Sequence, residues 1–209
     1  MFRRARILLA ALATVLVTAG AADARPLVAM ESVRLERGET ITREQTINRG
    51  DRRYIGGVTY TILDATEADL EALFDNVDAY RRVLPRTKRA RLVGTDRGDK
   101  LVEITSGNTL VEAQYTLRIR REEREGQREI RFWLEPNHPH GIDDAWGFFR
   151  MEPFTTKNGE HKVLLTYGVL VDVGPGIVRE LFEEKVRAAL LSVPQRVRGA
   201  VAEARRAAL

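Results

Sequence analysis

The sequence predicts an α+β domain in which a curved antiparallel sheet of about seven strands wraps around one long C-terminal helix. Three observations predict it. From Gly174 to Arg206, apolar residues recur at helical spacing (Val178, Phe182, Val186, Ala189, Val193, Val197) with charged residues between them, which marks a long amphipathic helix. Upstream, segments with period-two alternation follow one another across short turn signals, which marks antiparallel strands. Directly after the first strand, two short helical segments interrupt the sheet. A helix with one apolar stripe must bury it against another layer, and a sheet with one apolar face is the available partner.

The elements follow in order. Residues 1–24 have the layout of a secretory signal peptide: Arg3, Arg4 and Arg6, then an apolar run from Ile7 to Val17, then Ala22-Asp23-Ala24 as a small-residue cleavage site. The apolar run is short for a membrane span, which needs ~20 residues; an uncleaved anchor is the alternative. Residues 25–52 form an N-terminal extension, with Ser32–Glu36 and Thr40–Thr42 as short strands of a hairpin around Arg37-Gly38-Glu39. The main domain covers residues 53–206.

Arg53–Leu63 is the first strong strand, with Val58, Tyr60 and Ile62 on one face and Thr59 and Thr61 on the other. Thr66 and Asp69 set a capping box for a helix carrying Leu70, Leu73 and Phe74. Asn76 caps a second short helix, which Pro85 ends. Strands follow at 88–94, 101–105, 109–121, 128–135, 145–154 and 161–171. The third of these alternates cleanly, with Val111, Ala113, Tyr115, Leu117 and Ile119 on its apolar face. Gly174-Pro175-Gly176 leads into the last helix, and Pro194 inside it deletes a backbone hydrogen bond and predicts a kink or a division.

Composition bounds the function. With 44% hydrophobic and 31% charged residues, the chain is globular. It has no cysteine, which excludes disulfides, thiolate metal sites and thiol nucleophiles. Loss of residues 1–24 would take away three arginines and one aspartate and lower the formal charge from +4 to +2. Arg118, Arg120, Arg121 and Arg124 are interleaved with Glu122, Glu123 and Glu125. They read as the solvated face of a strand, without the clustered basic surface of a nucleic-acid-binding domain. No nucleic-acid partner is expected; transient contact with a membrane is.

Val77-Asp78-Ala79-Tyr80 through Leu84-Pro85 after a capped helix, Trp146-Gly147-Phe148-Phe149-Arg150-Met151-Glu152-Pro153 on a late strand, and the Gly174-Pro175-Gly176 entry to the last helix carry a resemblance. The chain resembles the START/Bet v 1-like (SRPBCC) superfamily, and within it the polyketide cyclase/dehydrase and coenzyme Q-binding branch. The resemblance implies a helix-grip fold with an apolar tunnel between sheet and helix. It also implies a lipid, sterol, isoprenoid or polyketide as ligand, in a superfamily where some members are enzymes.

Candidate site residues follow from the strand and helix phases. Tyr60, Tyr115, Phe132, Phe149, Tyr167, Val178 and Phe182 are expected to line the space between sheet and helix, with Asp144 and Arg150 as its polar groups. Leu181 and Leu190 belong to the same helical stripe. Buried tyrosine hydroxyls need partners, which a ligand head group can supply. Glu103, Asp144 and Arg150 are the candidates for acid/base work, while Glu112 and Asp172 fall on polar strand phases and are expected to face solvent. His138 and His140 with Asp143 and Asp144 have metal-ligand chemistry, but a loop containing Pro139 and only two histidines reads as a polar rim, and no metal or cofactor is expected. No catalytic residue is assigned. The expected function is that of an exported protein, periplasmic or secreted, that binds a hydrophobic small molecule. The alternatives are a cyclase or dehydratase using a pocket acid or base, and a cavity-less interaction module.

Overall fold

The computed structural model describes residues 27–107, 112–124 and 127–207. The leader expected over residues 1–24 and parts of two turns, at 108–111 and 125–126, lie outside the described residues. Among the described residues no helix is long and apolar enough to cross a membrane.

The chain runs α1 (Ala29–Glu36), β1 (Ile41–Arg49), β2 (Arg52–Leu63), α2 (Glu67–Asp75), a 3-10 turn (Val77–Ala79) and α3 (Tyr80–Val83). It continues through β3 (Thr87–Asp96), β4 (Asp99–Gly107), β5 (Glu112–Arg124), β6 (Gln127–Leu134), β7 (Asp144–Thr155) and β8 (His161–Asp172). It closes with α4 (Ile177–Leu191) and α5 (Val193–Ala207). The strands form one antiparallel sheet in the order β1-β2-β8-β7-β6-β5-β4-β3. Strands β3 to β8 are a meander of sequential neighbours, and β2 closes onto β8. The two short helices therefore cross from one side of the sheet to the other between β2 and β3.

All seven strands expected from residue 53 onward are present. The eighth is β1, which pairs with β2 from Ile41↔Tyr60 to Arg49↔Arg52. The N-terminal hairpin is thus β1–β2, turning at Gly50 and Asp51, and not the expected hairpin around Arg37-Gly38-Glu39. Residues 32–36, expected as a strand, belong to helix α1. Glu31 caps that helix by accepting from the Val28 amide (3.0 Å), and the Arg43 guanidinium pairs with the same carboxylate (2.6 Å). Gly38 ends the helix with φ 85°, its amide bonded to Leu35 O at 2.9 Å. A glycine after a basic residue is a helix stop as readily as a hairpin turn.

The capping box at α2 forms as expected: Thr66 Oγ1 accepts from the Asp69 amide (3.1 Å) and Asp69 accepts from the Thr66 amide (2.8 Å). The last helix divides at Ser192, because Pro194 has no N–H for the Leu190 carbonyl. The Leu191 carbonyl at the break accepts from Thr59 Oγ1 (3.4 Å).

The two halves of the long helix do different work. Helix α5 buries Val193, Val197, Ala200 and Val201 against α2, α3, β2 and β8. Helix α4 is held mainly by charge. Arg53 makes two hydrogen bonds to Glu183, both 2.9 Å. Arg187, only 8% exposed, pairs with Glu183 (3.0 Å) and Glu184 (2.8 Å) and donates to Thr46 (3.0 Å) on β1. Asp172, expected to face solvent, is 1% exposed. It accepts from the Gly174 amide (3.0 Å), the Arg53 amide (3.3 Å) and the Arg179 guanidinium, so it fixes the turn from β8 into α4. A polar strand phase at the last residue of a strand does not specify solvent when a cation in the first turn of the next helix, seven residues on, folds back to it.

Removing that anchor leaves a guanidinium and an amide without their acceptor. Asp172→Ala is expected to lower unfolding stability by about 3 kcal/mol, read by urea denaturation. A change within ~0.5 kcal/mol, typical of surface sites, would mean that the turn is fixed some other way.

Candidate functional site

The sheet's concave face and α4 do not close on each other. Between them lies a cavity of about 360 Å³. Its walls are the inward residues of β4 to β8, the short helix α3, and the apolar stripe of α4. Val178, Phe182, Val186, Ala189 and Leu190 all face this space and are only half-buried. An apolar stripe on a helix that packs a solid core would be buried throughout. Here it roofs a void.

The cavity has an aromatic floor. The rings of Phe74 and Phe149 lie 4.5 Å apart, those of Phe149 and Tyr167 are stacked at 4.6 Å, and Phe132 stands 5.8 Å from Phe149 and 6.3 Å from Tyr167. Phe132 is directly opposite Gly147 across the β6–β7 pair. A Cβ at that glycine would come within 2.4 Å of the Phe132 ring, so its absence lets the ring lie flat on the sheet. The interior polar atoms are few. Tyr115 and Ser106 share a hydrogen bond at 3.4 Å. The Tyr167 hydroxyl has no hydrogen-bond partner among the described residues, and its ionisation is pushed far up by burial and then by the neighbouring Tyr115. Burial likewise raises Tyr115. Tyr80 donates to Phe74 O at 2.8 Å, and burial pushes its phenol up to about 12. Charged lining residues are confined to the rim: Arg86 after α3, Glu112 at the start of β5 and Lys185 on α4, all exposed.

Six of the nine site residues expected from sequence line this cavity: Tyr115, Phe132, Phe149, Tyr167, Val178 and Phe182. Leu190 lines it as well, whereas Leu181 points outward and is 68% exposed. Tyr60, Asp144 and Arg150 do not line it. Tyr60 follows the phase of Val58 and Ile62, and that phase packs outward under α1 with Leu35, Ile41 and Phe148. Its ring carries the Arg43 guanidinium at 5.1 Å. The threonines of β2, expected on the polar side, face the long helix instead: Thr59 bonds Leu191 O, and Thr61 receives Arg198. Arg150 follows the inward Phe149 by one residue and so points outward, where it pairs with Glu129 (2.9 Å). Asp144 is bonded to Arg52 (2.6 Å) and the Tyr54 hydroxyl (2.7 Å). Glu103 lies between the inward Val102 and Ile104 and pairs outward with Arg91 (2.9 Å) and Gln114 (2.8 Å).

In the loop after β6, His140 Nδ1 is bonded to Ile142 O (2.7 Å). Among the described residues, no three His, Asp or Glu side chains converge on a point. Among the lining residues missed by sequence reading are Phe74 and Tyr80. Their signal was available: both sit on the apolar sides of the two short helices that cap the sheet's open end.

No protein-family model matches the chain, and no curated protein sequence matches it either. Solved structures do. A STAR-related lipid transfer protein from Xanthomonas axonopodis superposes with a TM-score of 0.62 at 14% identity, over 78% of this chain and 98% of that one. The chain has the START/SRPBCC fold. A START superfamily protein from Mycobacterium smegmatis superposes with a TM-score of 0.54 at 14% identity, covering 70% of this chain and 96% of its own. Human StAR-related lipid transfer protein 5 gives 0.54 at 10% identity, over 83% and 93%. Within this START fold, the elements that differ most in role are α4 and α5, one a roof and one a packed helix.

The raised tyrosines give a pH dependence with a defined sign. Unfolded, Tyr80 loses its proton near pH 10; folded, it keeps it to about 12. Between these values the unfolded state binds fewer protons, so stability falls as pH rises. The loss from this group approaches ~1.4 kcal/mol per pH unit. Urea unfolding at stepped pH should show a shallower decline between pH 10 and 12 for Tyr80→Phe than for the wild type; equal slopes would mean that Tyr80 is not shielded from water.

Proposed function

We propose that the protein binds one hydrophobic small molecule, a lipid or isoprenoid, in the cavity beneath α4 and shields it from water. The half-buried apolar stripe of α4 over an aromatic floor carries this reading. Apolar surface left facing an internal void gains ~25 cal/mol for each Å² that a ligand covers. The volume, about 360 Å³, lies toward the lower end of the ~300–1,000 Å³ range of small-molecule pockets. That favours a single-chain or compact ring-bearing lipophile. The unpartnered Tyr167 hydroxyl and the Tyr115–Ser106 pair are placed to bond one polar group of such a ligand.

Two further points support binding over catalysis. The three acid/base candidates, Glu103, Asp144 and Arg150, are bonded outside the cavity. The interior hydroxyls include Ser106 and two tyrosines, Tyr115 and Tyr167, whose ionisation burial raises further above neutral pH. The Xanthomonas and human proteins of the same fold are named for lipid transfer, which is the ligand class proposed. Residues 1–24 support an exported setting, periplasmic or secreted, where a lipophile must be kept from water outside the membrane.

The test fills the void. Ala189 faces the cavity from α4 and is half-buried, so Ala189→Trp adds a large ring on the cavity side of the helix. Titration with a fluorescent fatty acid or a solvatochromic dye should show saturable uptake by the wild type and at least about tenfold weaker uptake by the variant, a loss of ~1.4 kcal/mol, at an unchanged melting temperature. Equal uptake by both proteins would place the binding surface elsewhere.

A further inference from the structure

The cavity holds one polar group that folding does not use. Tyr167 lines it from β8 and is 2% exposed. Its ring is stacked on Phe149 at 4.6 Å and lies 6.3 Å from Phe132, so packing fixes the ring and, with it, the place of the hydroxyl. That hydroxyl bonds no described residue. The other hydroxyls among the described lining residues are engaged. Ser106 Oγ lies 3.2 Å from Thr87 Oγ1 and 3.4 Å from the Tyr115 hydroxyl, and Tyr80 donates to Phe74 O. A buried hydroxyl without a partner destabilises a fold. A phenylalanine at 167 would keep the ring stack and avoid that cost, so the hydroxyl serves something other than folding.

The charges around that hydroxyl decide what can meet it. The charged lining residues, Arg86, Glu112 and Lys185, are all exposed at the rim. Burial raises the phenols of Tyr60 and Tyr80, and a nearby guanidinium, from Arg43 and Arg121 respectively, opposes the rise. Among the described residues no cation acts on Tyr115 or Tyr167. Burial raises both, opposed at Tyr115 only by the Ser106 hydrogen bond and reinforced at Tyr167 by Tyr115. An anion brought beside Tyr167 would lose its water and gain no counter-ion, which is far costlier than burying a neutral oxygen. A neutral oxygen there gains a phenolic donor that keeps its proton. A carboxylate left at the rim lies near Arg86 and Lys185, but exposed ion pairs contribute little, and Tyr167 stays unmet.

We propose that Tyr167 selects the guest's head group: the ligand is an uncharged lipophile whose carbonyl or hydroxyl oxygen accepts from the Tyr167 hydroxyl, and a fatty acid of the same chain enters without reaching it. This deepens, and rests on, the reading of the cavity as a lipophile site. Tyr167 thereby determines specificity and performs no chemistry. The apolar stripe of α4 and the aromatic floor hold the chain or ring of the guest, and the one unmet donor sets its orientation.

The test is displacement of a bound solvatochromic dye from the full chain by three ligands of one chain length: a methyl ketone, the alkane, and the fatty acid at about pH 8, where it is ionised. Wild type and Tyr167→Phe are compared. The variant should bind the ketone about fivefold to tenfold more weakly, the effect of one lost hydrogen bond, and the alkane and the acid no more weakly than the wild type does. The infrared carbonyl stretch of the bound ketone should lie lower in the wild type than in the variant. Without ligand the variant should melt no lower than the wild type, because the hydroxyl it loses has no protein partner. A ketone that loses no more than the alkane, an acid that loses as much as the ketone, an acid that binds the wild type more tightly than the ketone, equal carbonyl stretches, or a melting point lowered by more than about 2 °C would each overturn the proposal. Uptake of dye and alkane with a ketone indifferent to Tyr167 defeats the head-group assignment alone. A wild type that takes up neither the dye nor any of the three ligands defeats the cavity reading, and the assignment falls with it.

Discussion

Helix α4 is held over the cavity from its side, by the ion pairs that join it to β1 and β2. Arg53 from β2 and Arg187 from within α4 meet on Glu183, and Arg187 continues to Thr46 on β1. At the helix's start, Asp172 gathers Arg179, the Gly174 amide and the Arg53 amide. At its end, the Leu191 carbonyl takes the Thr59 hydroxyl. These contacts leave the helix's apolar face free. A helix that depended on that face for its own stability would have to collapse onto the sheet, because packed interiors do not tolerate voids cheaply. Anchoring by charge along one flank lets the opposite flank stay open.

The division of the C-terminal helix follows from the same constraint. Pro194 breaks the hydrogen-bond ladder between a half that roofs and a half that packs. Helix α5 buries its valines and alanines against α2, α3 and the sheet, and Arg205 at its far end reaches Asp64 (3.1 Å) and Asp69 (3.3 Å) at the start of α2. That packed half fixes the fold. The outer face of the sheet is closed separately: α1 lays Leu35 on Tyr54, Val58 and Phe148, and beyond α1 the strands carry matched rows of arginine and carboxylate. Both faces of β2 are therefore covered, one by α1 and the other by the long helix.

That double burial explains which parts of the site were legible in the sequence. On β5 the alternation of Ala113, Tyr115, Leu117 and Ile119 with polar residues names the cavity wall directly, because one face of that strand meets solvent. On β2 the same rule misplaces Tyr60. Its apolar phase belongs to the layer under α1, and its threonines satisfy the helix break, so hydrophobicity alone does not say which covered face is which. Arg150 and Asp144 were misplaced for a related reason, since strand β7 carries Trp146, Phe148 and Phe149 on both phases. Helix α1 was hidden because Arg37-Gly38 ends a helix and turns a hairpin equally well. The Thr66 capping box and the Pro194 break were legible because each is a local backbone rule that needs no tertiary partner. Whether the stripe of α4 meets a core or a void is not local: Val178, Phe182 and Val186 have the same spacing in either case. The decision rests with Glu183 and Arg187, whose partners are more than a hundred residues away in the chain.

The central claim is that the space under α4 is kept open for an apolar guest. Organic extraction of the purified chain, followed by mass spectrometry of the extract and of the intact complex under native conditions, tests it most directly. The account predicts a lipophilic molecule near one per chain, or an empty chain that takes up one equivalent of added fatty acid or isoprenoid alcohol. A chain that is isolated empty and takes up neither would contradict it.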